Sequence, residues 1–442
     1  MLRVYFTSLG CKLNQAEIEA LSRQAASYQM ALTSEPTNAD WAVVNTCAVT
    51  QTAAQKSRQA IRHLKTLNPS LHIAVIGCYA TIGADELRTL PGVDILLPNG
   101  LKESILEHVS ACASLGALPV TPTSPFVRIR GRTRAQVKIQ DGCDNHCTYC
   151  VVCIARGSQR SASPEQVLAQ VQERLNEGFQ EIVLTGVHIG SYGQDSGPAA
   201  PLPSSAGWSL TRLVAAILAE MAVPRLRLGS IEPWDVTPEL LYLWPNERLC
   251  RHLHLPLQSG SNAVLRRMGR HYTLDHYTDL VEIARNRVPD IAITTDLITG
   301  FPGETEEEYE ETLRYAESLQ MARLHVFAYS PRPGTYAADM PDQVHPSIAQ
   351  RRSRRLIELG SELAQRYRER YLGRVIRVLF ESSRLVSGTR EWNGLSDNYL
   401  RVITFSPQDL HNRFATVLCT TSGKTGLTGD LLAVEGMAVE GS

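Results

Sequence analysis

Three cysteines within eight residues, Cys143, Cys147 and Cys150 in VKIQDGCDNHCTYCVVCIARGSQR, constrain this chain more than any other feature. A loop with the spacing C-x3-C-x2-C, set directly after a short apolar strand, must fold so that three thiols converge. A closed structural metal site wants four ligands, whereas three protein ligands leave a coordination position open for a substrate or cofactor. Thiolates are also the ligands of cubane iron–sulfur clusters. Cys153 follows Cys150 at the same two-residue gap, so spacing alone leaves open a zinc knuckle or a four-thiolate electron-transfer cluster on Cys143, Cys147, Cys150 and Cys153.

A second cysteine pattern lies nearer the start. The apolar runs LRVYFTSLGC, WAVVNTC and LHIAVIGC end in Cys11, Cys47 and Cys78, and each is followed by a helical pattern. A spacing of about 30 to 35 residues predicts successive βα units of a parallel sheet. Right-handed crossovers bring the carboxyl ends of such strands to one edge, where ligands of open α/β sheets bind. Helix N-termini at that edge are expected to lower the thiol pKa values. Small buried cysteines often pack at strand ends, but three in register favour a second three-thiolate site. VDILLPNG with GLKESILEHVSACA makes a fourth unit, in whose helix Cys112 reads as packing.

The segment 113–126, LGALPVTPTSPF with flanks, reads as a linker. From Arg134 the βα alternation resumes for about six units, which predicts a partial or complete α/β barrel with its active groups at the carboxyl ends of the strands. Thr185 and Gly186, Ser230 and Glu232, Gln258 with Ser259 and Gly260, and Asp296 to Glu304 all fall there. GFPGET reads as an anion cradle at a helix start or as a plain turn, and Glu304 as a residue complementing a helix dipole. After Pro346 comes a long basic helical pattern with Arg351, Arg352, Arg354 and Arg355. Together with Arg128, Arg130, Arg132, Arg134 and Lys138 it is a candidate phosphate-contacting surface. The tail reads as about five alternating strands, a small antiparallel barrel of a kind that holds nucleic acid, with Cys419 in its core.

The balance of 44 Lys and Arg against 45 Asp and Glu excludes a generally basic nucleic-acid coat, so any RNA contact rests on local patches. MLRVYFTSLG is strand-like and has no basic region followed by an apolar one, so no secretory signal is expected. LTRLVAAILAEMAV is too short to span a bilayer, and no membrane contact is expected. These features predict a cytoplasmic protein whose cysteines are metal ligands or catalytic groups rather than disulfides.

The C-x3-C-x2-C run with Tyr149 directly before its last cysteine resembles the signature of the radical S-adenosylmethionine (SAM) enzymes. The resemblance implies that three cysteines hold a 4Fe–4S cluster whose fourth iron is chelated by SAM, and that an electron from the cluster releases a 5′-deoxyadenosyl radical. Six matched cysteines together with GVHIGSYG, LPLQSGS, GFPGET and YSPRPGT extend the resemblance to the radical SAM methylthiotransferases over nearly the whole chain. It implies an α/β architecture in which 1–112 is an N-terminal parallel-sheet α/β domain with an auxiliary cluster on Cys11, Cys47 and Cys78. A linker at 113–126 follows, then a radical SAM partial (β/α) barrel at 127–345 with its cluster on Cys143, Cys147 and Cys150. A basic connecting helix at 346–372 leads to a small antiparallel β-barrel of TRAM type, an RNA-binding domain, at 373–442.

The opening SLGCKLNQAE is similar to the branch that modifies N6-threonylcarbamoyladenosine next to the tRNA anticodon. The resemblance then implies two 4Fe–4S clusters and SAM as cofactors, tRNA as substrate, and a flavodoxin- or ferredoxin-type electron donor. One SAM would methylate sulfur at the auxiliary cluster, and a second would yield the radical that activates C2 of the adenine. Tyr149, Thr185, Gly186, Ser230, Gln258 and Asp296 are the expected SAM-binding residues. Arg128, Arg130, Arg132, Arg156, Arg351 and Arg355 are the expected RNA contacts. The chain departs from the family pattern at Cys153, where the family has proline, and in the less basic run ARGSQRSA, which weakens the case for Arg156 and Arg160 on phosphate. Alternative targets are isopentenyladenosine in tRNA or a ribosomal protein. A different class of reading is a zinc- or cluster-stabilised RNA-binding protein without catalysis.

Overall fold

The computed structural model describes residues 1–114, 133–195 and 207–436. The predicted linker lies outside the described residues from 115 onward, as do Arg128, Arg130 and Arg132. The chain divides into two compact units. The first joins Met1–Arg130, Gln140–Arg160 and Ser330–Asp339; the second joins Gly131–Ile139, Ser161–Tyr329 and Met340–Ser442.

The first unit is built on a parallel sheet of β1 (Leu2–Ser8), β2 (Met30–Leu32), β3 (Trp41–Thr46), β4 (His72–Gly77) and β5 (Val93–Leu96), in the order β2-β1-β3-β4-β5. The strand β3 is buried at every residue, as a central parallel strand covered on both faces must be. Successive residues point to opposite faces, so Val44 and Val75 pack with Ile61 and Leu64 of α2 (Gln51–Leu67) on one side. Val43 and Ala74 pack with Ile18 and Leu21 of α1 (Lys12–Gln24) and Val109 of α5 (Ile105–Ser114) on the other. Short helices α3 (Cys78–Ile82) and α4 (Ala84–Arg88) follow β4. Cys112, expected to pack, is instead exposed in the last turn of α5. The strand order reverses between β1 and β3, and such a switch point is where open α/β sheets bind ligands at the carboxyl edge. The segment 140–160 adds β7 (Gln140–Asp141) and α6 (Val152–Arg156), and ends at β8 (Arg160–Ser161).

The second unit carries six parallel strands in sequence order: β6 (Arg134–Lys138), β9 (Glu181–Thr185), β10 (Leu226–Leu228), β11 (His252–His254), β12 (Ala292–Thr299) and β13 (Arg323–Ala328). Two three-stranded sheets are joined between β10 and β11 by the parallel bridges Leu226 to Leu249 and Ser230 to His254. The result is the partial barrel. Its helices are α7 (Pro164–Asn176), α8 (Leu210–Glu220), α9 (Pro238–Leu241), α10 (Asn262–Arg267), α11 (Leu274–Arg287) and α12 (Glu306–Ser318). Capping boxes at Ser163 with Gln166 and at Thr305 with Glu308 fix the starts of α7 and α12.

The long helix α13 (Pro346–Glu369) leads into a closed barrel of β14 (Val375–Val386), β15 (Thr389–Ser396), β16 (Arg401–Phe405), β17 (Phe414–Ser422) and β18 (Leu427–Val434). Four of its junctions are antiparallel, and β16 pairs with β18 in parallel, because a ring of five strands cannot alternate direction all the way round. Cys419 is fully buried, in line with its expected core position. Within this unit the buried Glu181 carboxylate binds Arg225 at 2.5 Å and Arg227 at 2.6 Å. Those guanidiniums donate onward to the carbonyls of Leu395, Ser396 and Asp397, which locks the closed barrel onto the parallel strands. No helix among the described residues is long and apolar enough to cross a membrane.

Candidate cluster and cofactor sites

In the first unit β1, β3 and β4 are neighbours, and Cys11, Cys47 and Cys78 emerge at their carboxyl ends. Gly10 and Gly77, each directly before a cysteine, both take φ +98°, a left-handed turn that a side chain resists. A Cβ on Gly10 would lie 2.5 Å from the Cβ of Cys47 and 2.7 Å from its Sγ, so the first turn is pressed against the second thiol. Cys47 and Cys78 are buried and Cys11 is exposed. Helix N-termini were expected to lower these thiols. Burial wins instead: it raises Cys47, and it pushes Cys78 up to about 11 against the pull of the Arg156 guanidinium. Each also feels the charge of Cys11, which marks the three as one electrostatic group.

Cys143, Cys147 and Cys150 lie in the same unit on a loop closed by backbone bonds from Cys143 to Gly157 at 3.2 Å and from Cys150 to Cys147 at 3.0 Å. Gly142, at φ +70°, admits no Cβ, which would meet the Ser158 carbonyl oxygen at 2.1 Å. The Cys143 sulfur accepts the Asn145 N–H at 3.4 Å, and Tyr149 is half-buried beside Cys150. Cys153 donates its S–H to the Asn145 carbonyl at 2.9 Å, and a hydrogen bond with Cys143 lowers its pKa.

A buried polar network ties the two cysteine groups together. Lys102 Nζ lies 2.6 Å from both Glu17 and Asp141, and Arg156 Nη1 lies 2.8 Å from the same two carboxylates. Arg156 Nη2 donates to Asn14 Oδ1 at 2.6 Å, while the Asn14 amide donates to the carbonyls of Leu9 and Thr46 beside Cys11 and Cys47. Asn45 donates to Glu17 at 3.0 Å. Sequence reasoning missed Asn14, Glu17, Lys102 and Asp141; the only signal was that Asn14 and Glu17 follow Cys11 at helical spacing. The phosphate contact expected of Arg156 is corrected by its side-chain exposure of 2%, which leaves it no face for RNA. Arg160 is 41% exposed and donates to the carbonyls of Arg156 and Ser158.

Of the six expected cofactor residues, Thr185, Gly186, Ser230 and Gln258 close or follow strands of the second unit, Asp296 lies within β12, and Tyr149 belongs to the first unit. Thr185 closes β9 with Gly186 next, Ser230 follows β10 and bridges to His254, and Gln258 follows β11. Gln258 takes φ +66°, rare for a side-chain-bearing residue, with its N–H on the Asp296 carbonyl at 2.8 Å. The Asp296 carboxylate lies 3.3 Å from His254 Nε2 and 3.2 Å from His325 Nδ1. Burial alone would raise it, but hydrogen bonds from the two histidines hold it far below the usual carboxylate range. The two histidines were not singled out in the sequence. The GFPGET cradle is filled from within: Glu304 accepts the Gly300 N–H at 2.9 Å and pairs with Arg352 at 2.6 Å. The expected basic surface of α13 is largely balanced by α12. Arg355 pairs with Glu310 at 2.5 Å, and Arg351, 61% exposed, lies 3.6 Å from Glu306.

A family model described as the Radical SAM superfamily matches residues 137–316, and one described as Uncharacterized protein family UPF0004 matches residues 3–98. Threonylcarbamoyladenosine tRNA methylthiotransferase MtaB of Bacillus subtilis is 37% identical over 441 residues, covering 96% of this chain and 95% of its own length. The Thermotoga maritima protein of the same name is 36% identical and covers 86% of this chain and 87% of its own length. A tRNA-2-methylthio-N(6)-dimethylallyladenosine synthase of Staphylococcus aureus is 35% identical over 85% of this chain and 74% of its own length. Among solved structures, a radical SAM methyltransferase, TsrM from Kitasatospora setae, aligns with a TM-score of 0.56 over 76% of this chain and 75% of that one; at 14% identity this is a likeness of fold. The radical SAM domain implies SAM and a 4Fe–4S cluster, and the thiol triad on a glycine-turned loop fits that cluster. With matched relatives along nearly its full length, the chain belongs to the radical SAM tRNA methylthiotransferase family.

Proposed function

We propose that this chain places a methylthio group on C2 of threonylcarbamoyladenosine in tRNA. In this reading Cys143, Cys147 and Cys150 hold the cluster that binds SAM, and Cys11, Cys47 and Cys78 hold a second 4Fe–4S cluster. The observation that carries it is the meeting of two cysteine triads in one compact unit, joined by the Glu17, Lys102, Asp141 and Arg156 network. The outer two of three adjacent strands run about 10 Å apart, a backbone span suited to a cubane rather than to one zinc ion with bonds of about 2.3 Å.

An adenine C2–H offers no acidic proton to a side-chain base, so acid–base catalysis has little purchase there. When bound, the SAM-side cluster supplies the electron that cleaves SAM. This chain's own part is placement: Tyr149, Thr185, Gly186, Ser230, Gln258 and Asp296 hold the cofactor, with His254 and His325 keeping Asp296 ionised. The C-terminal barrel, as a TRAM-type domain, meets tRNA together with Arg128, Arg130, Arg132 and the exposed Arg351. The reductant is a flavodoxin- or ferredoxin-type protein.

The test is anaerobic reconstitution with dithionite, SAM and tRNA carrying threonylcarbamoyladenosine. It should give 5′-deoxyadenosine, a methylthio nucleoside by mass spectrometry, and about eight iron atoms per chain. Cys47→Ala should hold about half that iron. Cys147→Ala with full 5′-deoxyadenosine production, or a product formed only on dimethylallyladenosine, would end the proposal.

A further inference from the structure

Pro331, Arg332 and Pro333 of the YSPRPGT stretch belong to the first unit and wall a partly open cavity of about 350 Å3. Arg58 of α2, Tyr79 of α3, Glu86 of α4 and Arg332 line it, with Gln51 at the N-terminus of α2. Arg58 Nη1 lies 2.9 Å from Glu86 and also donates to the Tyr79 hydroxyl, which in turn donates to Glu86. The single carboxylate of the cavity is therefore engaged by Arg58. Arg332 is only 7% exposed, its Nε is buried without a hydrogen-bond partner, and no carboxylate pairs with it among the described residues. Burial lowers its pKa, outweighing the opposite pull of Tyr79, Cys47 and Glu86, and neighbouring Arg58 adds to the lowering. A buried guanidinium left in this state calls for an oxyanion. The α2 terminus, where the Gln51 N–H is anchored on the Ser330 hydroxyl at 3.1 Å, adds partial positive charge at the same wall.

The cavity adjoins the first cysteine triad. Tyr79 directly follows Cys78, and Arg332 bears electrostatically on Cys47. Its volume is ample for a group of amino-acid size. Resting on the reading of the substrate above, we propose that the cavity takes the threonyl carboxylate of threonylcarbamoyladenosine, with Arg332 as its ion-pair partner. The threonylcarbamoyl group hangs from N6 on C6 of the base, and C2 is two ring bonds from C6. Anchoring the carboxylate here therefore holds C2 near the triad, and a base without that carboxylate leaves Arg332 unpaired.

A backbone phosphate offers the same oxyanion chemistry, so the experiment separates the two sources. Anticodon stem-loops carrying threonylcarbamoyladenosine or plain adenosine are titrated onto reconstituted wild type, Arg332→Met and Arg332→Lys. The Met variant should bind the modified stem-loop about tenfold to a hundredfold more weakly, with the plain stem-loop unchanged and with partial recovery in the Lys variant. On wild-type protein alone, the free nucleoside should bind by a similar factor more tightly than its methyl ester. Equal losses on both stem-loops would assign Arg332 to phosphate, and an ester that binds as tightly as the acid would remove the ion pair; either overturns the assignment. Absence of any methylthio product on modified tRNA would defeat the substrate reading as well, whereas product formation with equal losses would defeat only this one.

Discussion

Around Glu17 two carboxylates and two cations meet with almost no water, each side chain no more than 6% exposed. Such a group is costly to desolvate and is held only while its charges balance. Glu17→Gln leaves Lys102 and Arg156 sharing Asp141 alone, and should cost about 3 to 5 kcal/mol in urea unfolding of the iron-free protein. Arg156→Met should cost a similar amount, and the double variant distinctly less than the sum, because each change removes the partner that the other leaves stranded. Cys143, Cys147 and Cys150 stand out in the sequence because their spacing is local, and Cys11, Cys47 and Cys78 because each ends an apolar run. The network was not, since Glu17, Lys102 and Asp141 are brought together only by folding, and Arg156 reads as one more arginine beside a cysteine loop. The thiol pKa values were misjudged for a related reason: proximity to a helix start is visible in the sequence, while the burial that outweighs it at Cys78 is not.

At the scale of elements the alternation of strand and helix was readable nearly throughout, because apolar runs and capping residues such as Ser163 and Thr305 are local signals. Strand β2 escaped because it has three residues, and β15 because TREWNGLS carries few apolar residues. The basic α13 suggested a nucleic-acid face, and its match to the acidic α12 emerges only when the two helices pack. The same blindness to pairing hid Glu181, which joins the parallel strands to the closed barrel. Burial alone would raise its carboxyl, but Arg225 and Arg227 hold it at about 2, against an ordinary value of 4.5. The stabilisation is therefore complete above the unfolded value and is lost as pH falls from about 4.5 toward 2. Glu181→Gln should destabilise the chain by about 3 to 5 kcal/mol at neutral pH. Between about pH 5 and pH 3 wild type should lose stability more steeply than the variant, as read by urea midpoints. Parallel slopes would mean that the carboxylate contributes no charge to the docking.

For the whole molecule, the first unit is assembled from three separate stretches of chain, and the stretch bearing Cys143, Cys147 and Cys150 packs with the N-terminal sheet. A reading along the sequence follows chain continuity and has no means of registering the buried side chains that tie that loop to the N-terminal sheet. The ties are Lys102 to Asp141 and Glu17 to Arg156, together with the backbone bond from Ala337 to the Thr148 carbonyl at 2.8 Å within the same unit. If these contacts rather than covalent continuity hold the segments together, residues 1–114 and 133–442 expressed as two chains in one cell should assemble. Affinity capture of a tagged 1–114 fragment should bring down the other at equal stoichiometry. The 1–114 fragment expressed alone has neither Asp141 nor Arg156 to meet Glu17 and Lys102, and should be poorly soluble. Introducing Glu17→Gln into the split pair should reduce the recovery of the second fragment, because it removes the shared carboxylate. Fragments that stay apart, or a pair indifferent to Glu17→Gln, would show that the loop is held by its tether and not by the buried charges.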